Sequence, residues 1–242
     1  MKCIRMVELC LAAAFAFSAV AVSSASAGQL LVRFSLGGGV VGASFLSAAG
    51  VSTLESTGKK VITCSTVRNH GSFLSSTLGL VLIVFIGCKE TALSTSCNSA
   101  GAGAGEIYIP LSTLFHVGLA HSGTNTTIPA IIILLPSAGI NFTCDGGAIK
   151  VKVTGSVIGE LQSGGVQAPL NTPFRILTLV FKQTTGVQAL KLILLGSQTL
   201  TNQHLTSEIN GTAEEAGESS TDILDGFRNS TGEEEAIELV EP

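Results

Sequence analysis

The sequence predicts an all-β fold: an antiparallel β-sandwich or closed β-barrel of about 10–12 short strands, stapled by disulfides. Three observations carry the prediction. Short runs alternate apolar and polar residues, turn-forming residues recur between them, and four cysteines lie beyond an N-terminal leader. The clearest stretch is 141–161, NFTCDGGAIKVKVTGSVIGEL. Phe142 and Cys144 alternate with Asn141, Thr143 and Asp145, as in a half-buried strand. Asp145-Gly146-Gly147 is a tight-turn signal, because glycine takes positive φ without a Cβ clash. Ile149, Val151 and Val153 then alternate with Lys150, Lys152 and Thr154, so the stretch reads as a hairpin.

The chain opens with a leader. Lys2 and Arg5 precede an apolar run over about 9–22, and Ala25-Ser26-Ala27 places small residues at −3 and −1. This is the pattern of a secretory signal peptide over 1–27, cleaved after Ala27. The apolar run falls short of the roughly 20 residues that a membrane span needs. Residues 28–242 then form one exported β-domain, with no membrane span once the leader is removed.

Cys3 and Cys10 leave with the leader, and Cys64, Cys88, Cys97 and Cys144 remain. Four cysteines in an exported chain read as two disulfides, with three connectivities to choose from. The polar, small-residue segment between Cys88 and Cys97 suits a local staple, which leaves Cys64 for Cys144. A zinc site is disfavoured, because no Cys-x-x-Cys occurs and the histidines are remote from the cysteines.

Further strands follow in order. Residues 28–58 hold two weakly patterned apolar runs around Gly37-Gly38-Gly39. Those glycines lack both the Lys-Ser/Thr and the G-x-G-x-x-G spacing of a phosphate cradle, so they read as a turn. Residues 59–67 form a strand carrying Cys64, and 78–88 (LGLVLIVFIGC) a strand buried on both faces. Residues 94–105 are a loop of small residues. Strands are expected at 106–110, 111–119 and 130–135. Residues 175–183 and 189–195 read as a hairpin about Thr185-Gly186, and 205–212 as a short strand turning at Asn210-Gly211. No helix signature appears after residue 28.

From Glu214 onward there are ten acidic residues against Arg228 alone, punctuated by Ile223, Leu224, Phe227, Ile237, Leu239 and Val240. The segment over about 213–242 therefore reads as edge strands with acidic outer faces, which discourage edge-to-edge pairing. Asp222 and Asp225 lack the loop pattern of a calcium site.

F-I-G-Cys88, then Cys97 and Gly105-x-Ile107, N-F-T-Cys144 and V-x-V-x-G-S-V-I-G (151–159) form a recurring set. With E-E-A-G-E-S-S (214–220) and E-A-I-E-L (235–239), the set resembles a group of secreted proteins of soil actinobacteria. The resemblance covers roughly 59–242. It implies export and an all-β domain, and it transfers no functional residue.

Several chemistries are disfavoured. No G-x-S-x-G nucleophile elbow occurs. His116 and His121 are five apart, so on one strand they face opposite sides. Without Trp and with Tyr108 as the sole Tyr, a stacking platform for sugars is poorly supplied. Removing the leader's two basic residues and one acidic residue from totals of 13 and 17 leaves 11 and 16, a net charge of −5. That balance argues against nucleic acid. An outer-membrane barrel is disfavoured by the missing aromatic girdles. No metal or cofactor is expected. The expectation is an exported, non-enzymatic structural or interaction module of the cell envelope or extracellular space, with an envelope or protein partner. The alternative is a secreted hydrolase whose site assembles from distant residues.

Overall fold

Eight long staves run up and down and close on themselves as an antiparallel barrel. The structure, a computed structural model, describes residues 32–37, 39–122 and 126–241. The expected leader and cleavage site lie outside the described residues.

Most staves are two collinear strands separated by a break. The first is Ser44–Ala49 continuing as Ser52–Ser56, the second Val61–Cys64 with Thr66–Phe73, the third Leu78–Ile86 with Lys89–Glu90. The fourth is Thr95–Ser99 with Ile107–Ser122, and the fifth Thr126–Leu134 with Ile140–Cys144. The sixth, Ile149–Ser163, and the eighth, Thr212–Arg228, are unbroken. The seventh joins Leu177–Phe181 to Leu205–Ile209 across a long insertion. Each stave pairs with the next, and the eighth returns to the first through Ser44↔Arg228 and Ser56↔Ala216. The sandwich alternative is thereby resolved in favour of the barrel.

The breaks have a steric logic. A barrel closes only if its staves bend, and bulges or glycines supply the bend. Inward residues on the first two staves skip from Ala49 to Ser52 and from Cys64 to Val67, so one extra residue bends the stave and keeps the apolar face inside. On the sixth stave Gly155 supplies the bend without an extra residue. Its φ is 99°, and a Cβ there would run into the His204 carbonyl.

The apolar core lies inside the barrel, with Val67, Phe115, Val151 and Leu161 at 0–3% exposure. Outward positions carry Arg68, Lys150, Lys152, Glu208 and Asp225. That polarity is the reverse of the one lipid imposes on a spanning barrel. Among the described residues no helix is long and apolar enough to cross a membrane. A cluster of phenylalanines marks one end: Phe45 packs on Phe73 and Phe115, and Phe73 on Phe34. A three-stranded sheet of Arg33–Ser35, Ile237–Val240 and Pro173–Phe174 covers this end. A second, smaller core lies outside. There Leu190 and Ile193 of the insertion cover Ala130, Ile132 and Ile158.

Several expectations are corrected. Thr95–Ser99 is a strand of the fourth stave and not part of a loop over 94–105, and Leu78–Ile86 is buried on one face only, its outer face being half-buried. The disulfides are Cys64–Cys88 and Cys97–Cys144, not Cys88–Cys97 with Cys64–Cys144. The four cysteines form one row across four neighbouring staves. Cys97 sits opposite Cys144, Cys97 N donates to Cys88 O at 2.9 Å, and Thr63↔Lys89 sets Cys64 beside Cys88. Bridging the two middle members would strand Cys64 and Cys144 three strand spacings apart, roughly 14 Å, beyond a disulfide's reach.

The acidic segment is not an edge. Thr212–Arg228 pairs on both sides, with the seventh stave and with the first. Two of its acids, Glu218 and Asp222, face inward.

The hairpin about Thr185-Gly186 joins only Gln183–Thr184 to Val187–Gln188. Ile193–Leu195 instead pairs with Leu119 and Ala120 of the fourth stave. Leu177–Phe181 is already occupied on both sides by the sixth and eighth staves.

Candidate functional site

The eighth stave reads Ala216, Glu218, Ser220, Asp222 and Leu224 on its inner face, because strand side chains alternate. Its outer face carries Thr221 and Ile223, both exposed. Three polar side chains are thus placed in an apolar interior, and they hold one another. Ser220 Oγ lies 3.2 Å from Glu218 Oε1 and 2.9 Å from Asp222 Oδ1. Ser52 Oγ of the first stave donates to Glu218 Oε1 at 3.3 Å. Asn69 Nδ2 of the second stave donates to Asp222 Oδ2 at 2.8 Å and to Ser47 Oγ at 3.2 Å.

Burial pushes the Glu218 carboxyl up to about 7. The nearby Asp222 charge adds to the rise, while hydrogen bonds from Ser220 and Ser52 oppose it. Burial likewise raises Asp222 to about 6, against hydrogen bonds from Ser220 and Asn69. A carboxylate removed from water loses hydration that apolar neighbours do not replace, so the proton is held more tightly.

Glu218 lines a cavity of about 70 Å³ at the barrel's waist. Every stave contributes to its wall: Leu54, Ile62, Ile83, Ile107, Ile133, Val157, Leu205 and Glu218 come from the first to the eighth in turn. Asp222 and Asn69 line a smaller adjoining space of about 20 Å³, whose wall shares Ile83 and Ile133 with the larger one. The Cys64–Cys88 bridge forms part of the wall through Cys64.

The other candidates of the sequence lie elsewhere. His116 and His121 stand on the fourth stave, and burial lowers the His116 pKa. His204 Nδ1 meets the Asn202 carbonyl at 2.7 Å. Asp225 is exposed on the outer face, away from Asp222. Among the described residues no three His, Cys, Asp or Glu side chains gather as a metal site.

Sequence reasoning missed the Glu218–Asp222 pair. The signal was present as E-x-S-x-D at period two between Ala216 and Leu224. Both faces of that run are polar over their middle, so the pattern does not say which one is inside.

Comparison with protein-family models, with characterised proteins and with solved structures finds no match.

Proposed function

We propose that the chain is an exported, non-enzymatic interaction module whose barrel takes up a small, mainly apolar molecule at its waist. The observation that carries this reading is the cavity itself: about 70 Å³, walled by all eight staves and apolar apart from Ser52 and Glu218. An apolar cavity of ~150 Å³ accepts benzene. The space here is about half as large and limits the ligand to roughly three or four non-hydrogen atoms. The leader and the two buried disulfides support an oxidising, extracytoplasmic setting.

The test is methyl NMR of the full exported protein in xenon-saturated buffer. Shifts confined to Ile83, Ile107, Ile133, Leu205 and their neighbours support the reading. Unmoved methyl resonances, or changes scattered over the surface, overturn it. Intact mass of protein from the culture medium tests export: a chain starting at Gly28 and gaining four hydrogens on reduction supports it, and an uncleaved chain held in the membrane overturns it.

A further inference from the structure

Resting on that reading, the geometry points to a short-chain aliphatic primary amine, bound as its ammonium, as the ligand of the waist cavity. Its alkyl chain lies against the isoleucines and its head on Glu218.

The cavity has one polar end, so a molecule with one polar group has one way to enter it. That end is short of donors. Ser220 has a single hydroxyl proton to share between two carboxyls. Ser52 donates to the same oxygen, Glu218 Oε1, and Glu218 Oε2 takes no hydrogen bond from the described residues.

An independent observation lies one step away. Asn69 is 9% exposed, and its amide nitrogen is engaged by Asp222 and Ser47. Its oxygen, Oδ1, is buried without a partner. Exchanging nitrogen and oxygen would set that oxygen against the Asp222 carboxylate, so the amide is held as it stands. The unmet groups around the carboxyl pair are therefore acceptors.

Positive charge is missing as well. No Lys, Arg or His lines either space: the groups there include Ser47 and Ser52 from the first stave, Asn69 from the second, Ile83 from the third, Phe115 from the fourth, Ile133 from the fifth, Val157 from the sixth and Leu179 from the seventh. The ion pairs among the described residues, Lys182–Glu160, Lys191–Glu215 and Arg228–Glu234, all lie elsewhere. A buried carboxylate without a cation is costly, and an ammonium supplies both the charge and three N–H donors. An alcohol of the same length supplies one donor and no charge. The volume suits about four non-hydrogen atoms, the size of propylamine.

The experiment titrates n-propylamine, propan-1-ol and propane into the full exported protein just above neutral pH, read by methyl NMR. The amine is expected to shift the Ile83, Ile133 and Leu205 methyls and to bind roughly tenfold tighter than the alcohol, the scale of one charge-assisted hydrogen bond. Glu218→Gln is expected to lower amine affinity roughly tenfold or more while leaving propane binding intact. In the unsubstituted protein, saturating amine is expected to move the midpoint of the Glu218 carboxyl ¹³C titration downward. Equal affinity for amine and alcohol, no loss in Glu218→Gln, or an unmoved midpoint overturns the assignment. If propane and xenon bind while the amine does not, only the ligand class falls. If none of them binds, the cavity reading falls with it.

Discussion

Glu218 and Asp222 occupy alternate inward positions of one barrel stave, and the single hydroxyl of Ser220 hydrogen-bonds both. Each carboxyl is raised, to about 7 and about 6. A raised acid binds its proton more tightly in the folded state than in the unfolded one. Its contribution is therefore fully present in acid and is lost as pH climbs from the unfolded values through 6 and 7. Urea titrations from pH 4 to pH 8 should show stability falling by on the order of 5 kcal/mol from this pair. The double variant Glu218→Gln/Asp222→Asn should remove that part of the slope. An identical slope in variant and parent would show that the pair does not titrate in this window.

The cysteine row makes a sharper chemical prediction. Cys88→Ser/Cys97→Ser removes one member of each bridge. It should leave two thiols, Cys64 and Cys144, that stay free in air because they stand too far apart to join. By the loop-entropy relation, Cys97→Ser/Cys144→Ser should cost about 4 kcal/mol and Cys64→Ser/Cys88→Ser about 3.5 kcal/mol. Thiol titration and denaturant midpoints measure both. A disulfide between Cys64 and Cys144 in the first variant would contradict the stave order.

How far the sequence speaks depends on what one face of a strand can say. The alternation at Val151 and Val153 against Lys150 and Lys152 announces its own inside, and the structure obeys it. Leu78–Ile86 reads as apolar throughout, yet its outward side chains are only half-buried, so the run marks a stave and not its surroundings. Ile128 to Ile133 is buried on both faces for a reason found 60 residues later in the chain, where Leu190 and Ile193 fold over it. The four cysteines are legible as a set, while their pairing follows from which staves are neighbours. The carboxyl pair is hidden for a different reason. Glu218 and Asp222 are charged residues in a charge-dense segment, where a solvated face is the cheaper arrangement, and only closure against the first stave turns them inward.

Gly155 tests that closure. It bends the sixth stave where its pairing passes from the fifth stave's upper strand to its lower one, at φ 99°. Gly155→Ala should lower stability by more than about 1 kcal/mol, because the new Cβ meets both an unfavourable backbone region and the His204 carbonyl. Thermal unfolding measures it. A neutral or stabilising result would mean that the bend relaxes without effort and that the glycine is not needed for closure.

The cavity itself is open to a substitution that adds rather than removes. Val157 lines its wall and is 3% exposed. Val157→Ile keeps the β-branched stem that a strand favours and directs one more methyl group into about 70 Å³ of space. Burying that group without displacing a neighbour should stabilise the fold by about 0.5–1 kcal/mol. The same methyl should weaken xenon and propylamine binding, since it takes volume the ligand needs. Stability and affinity thus move in opposite directions from one change. A loss of about 1 kcal/mol or more would instead show a wall already packed to contact, where an added methyl forces side chains off their rotamers. The pair of measurements, a denaturant midpoint and a methyl titration on one variant, decides whether the waist holds usable space.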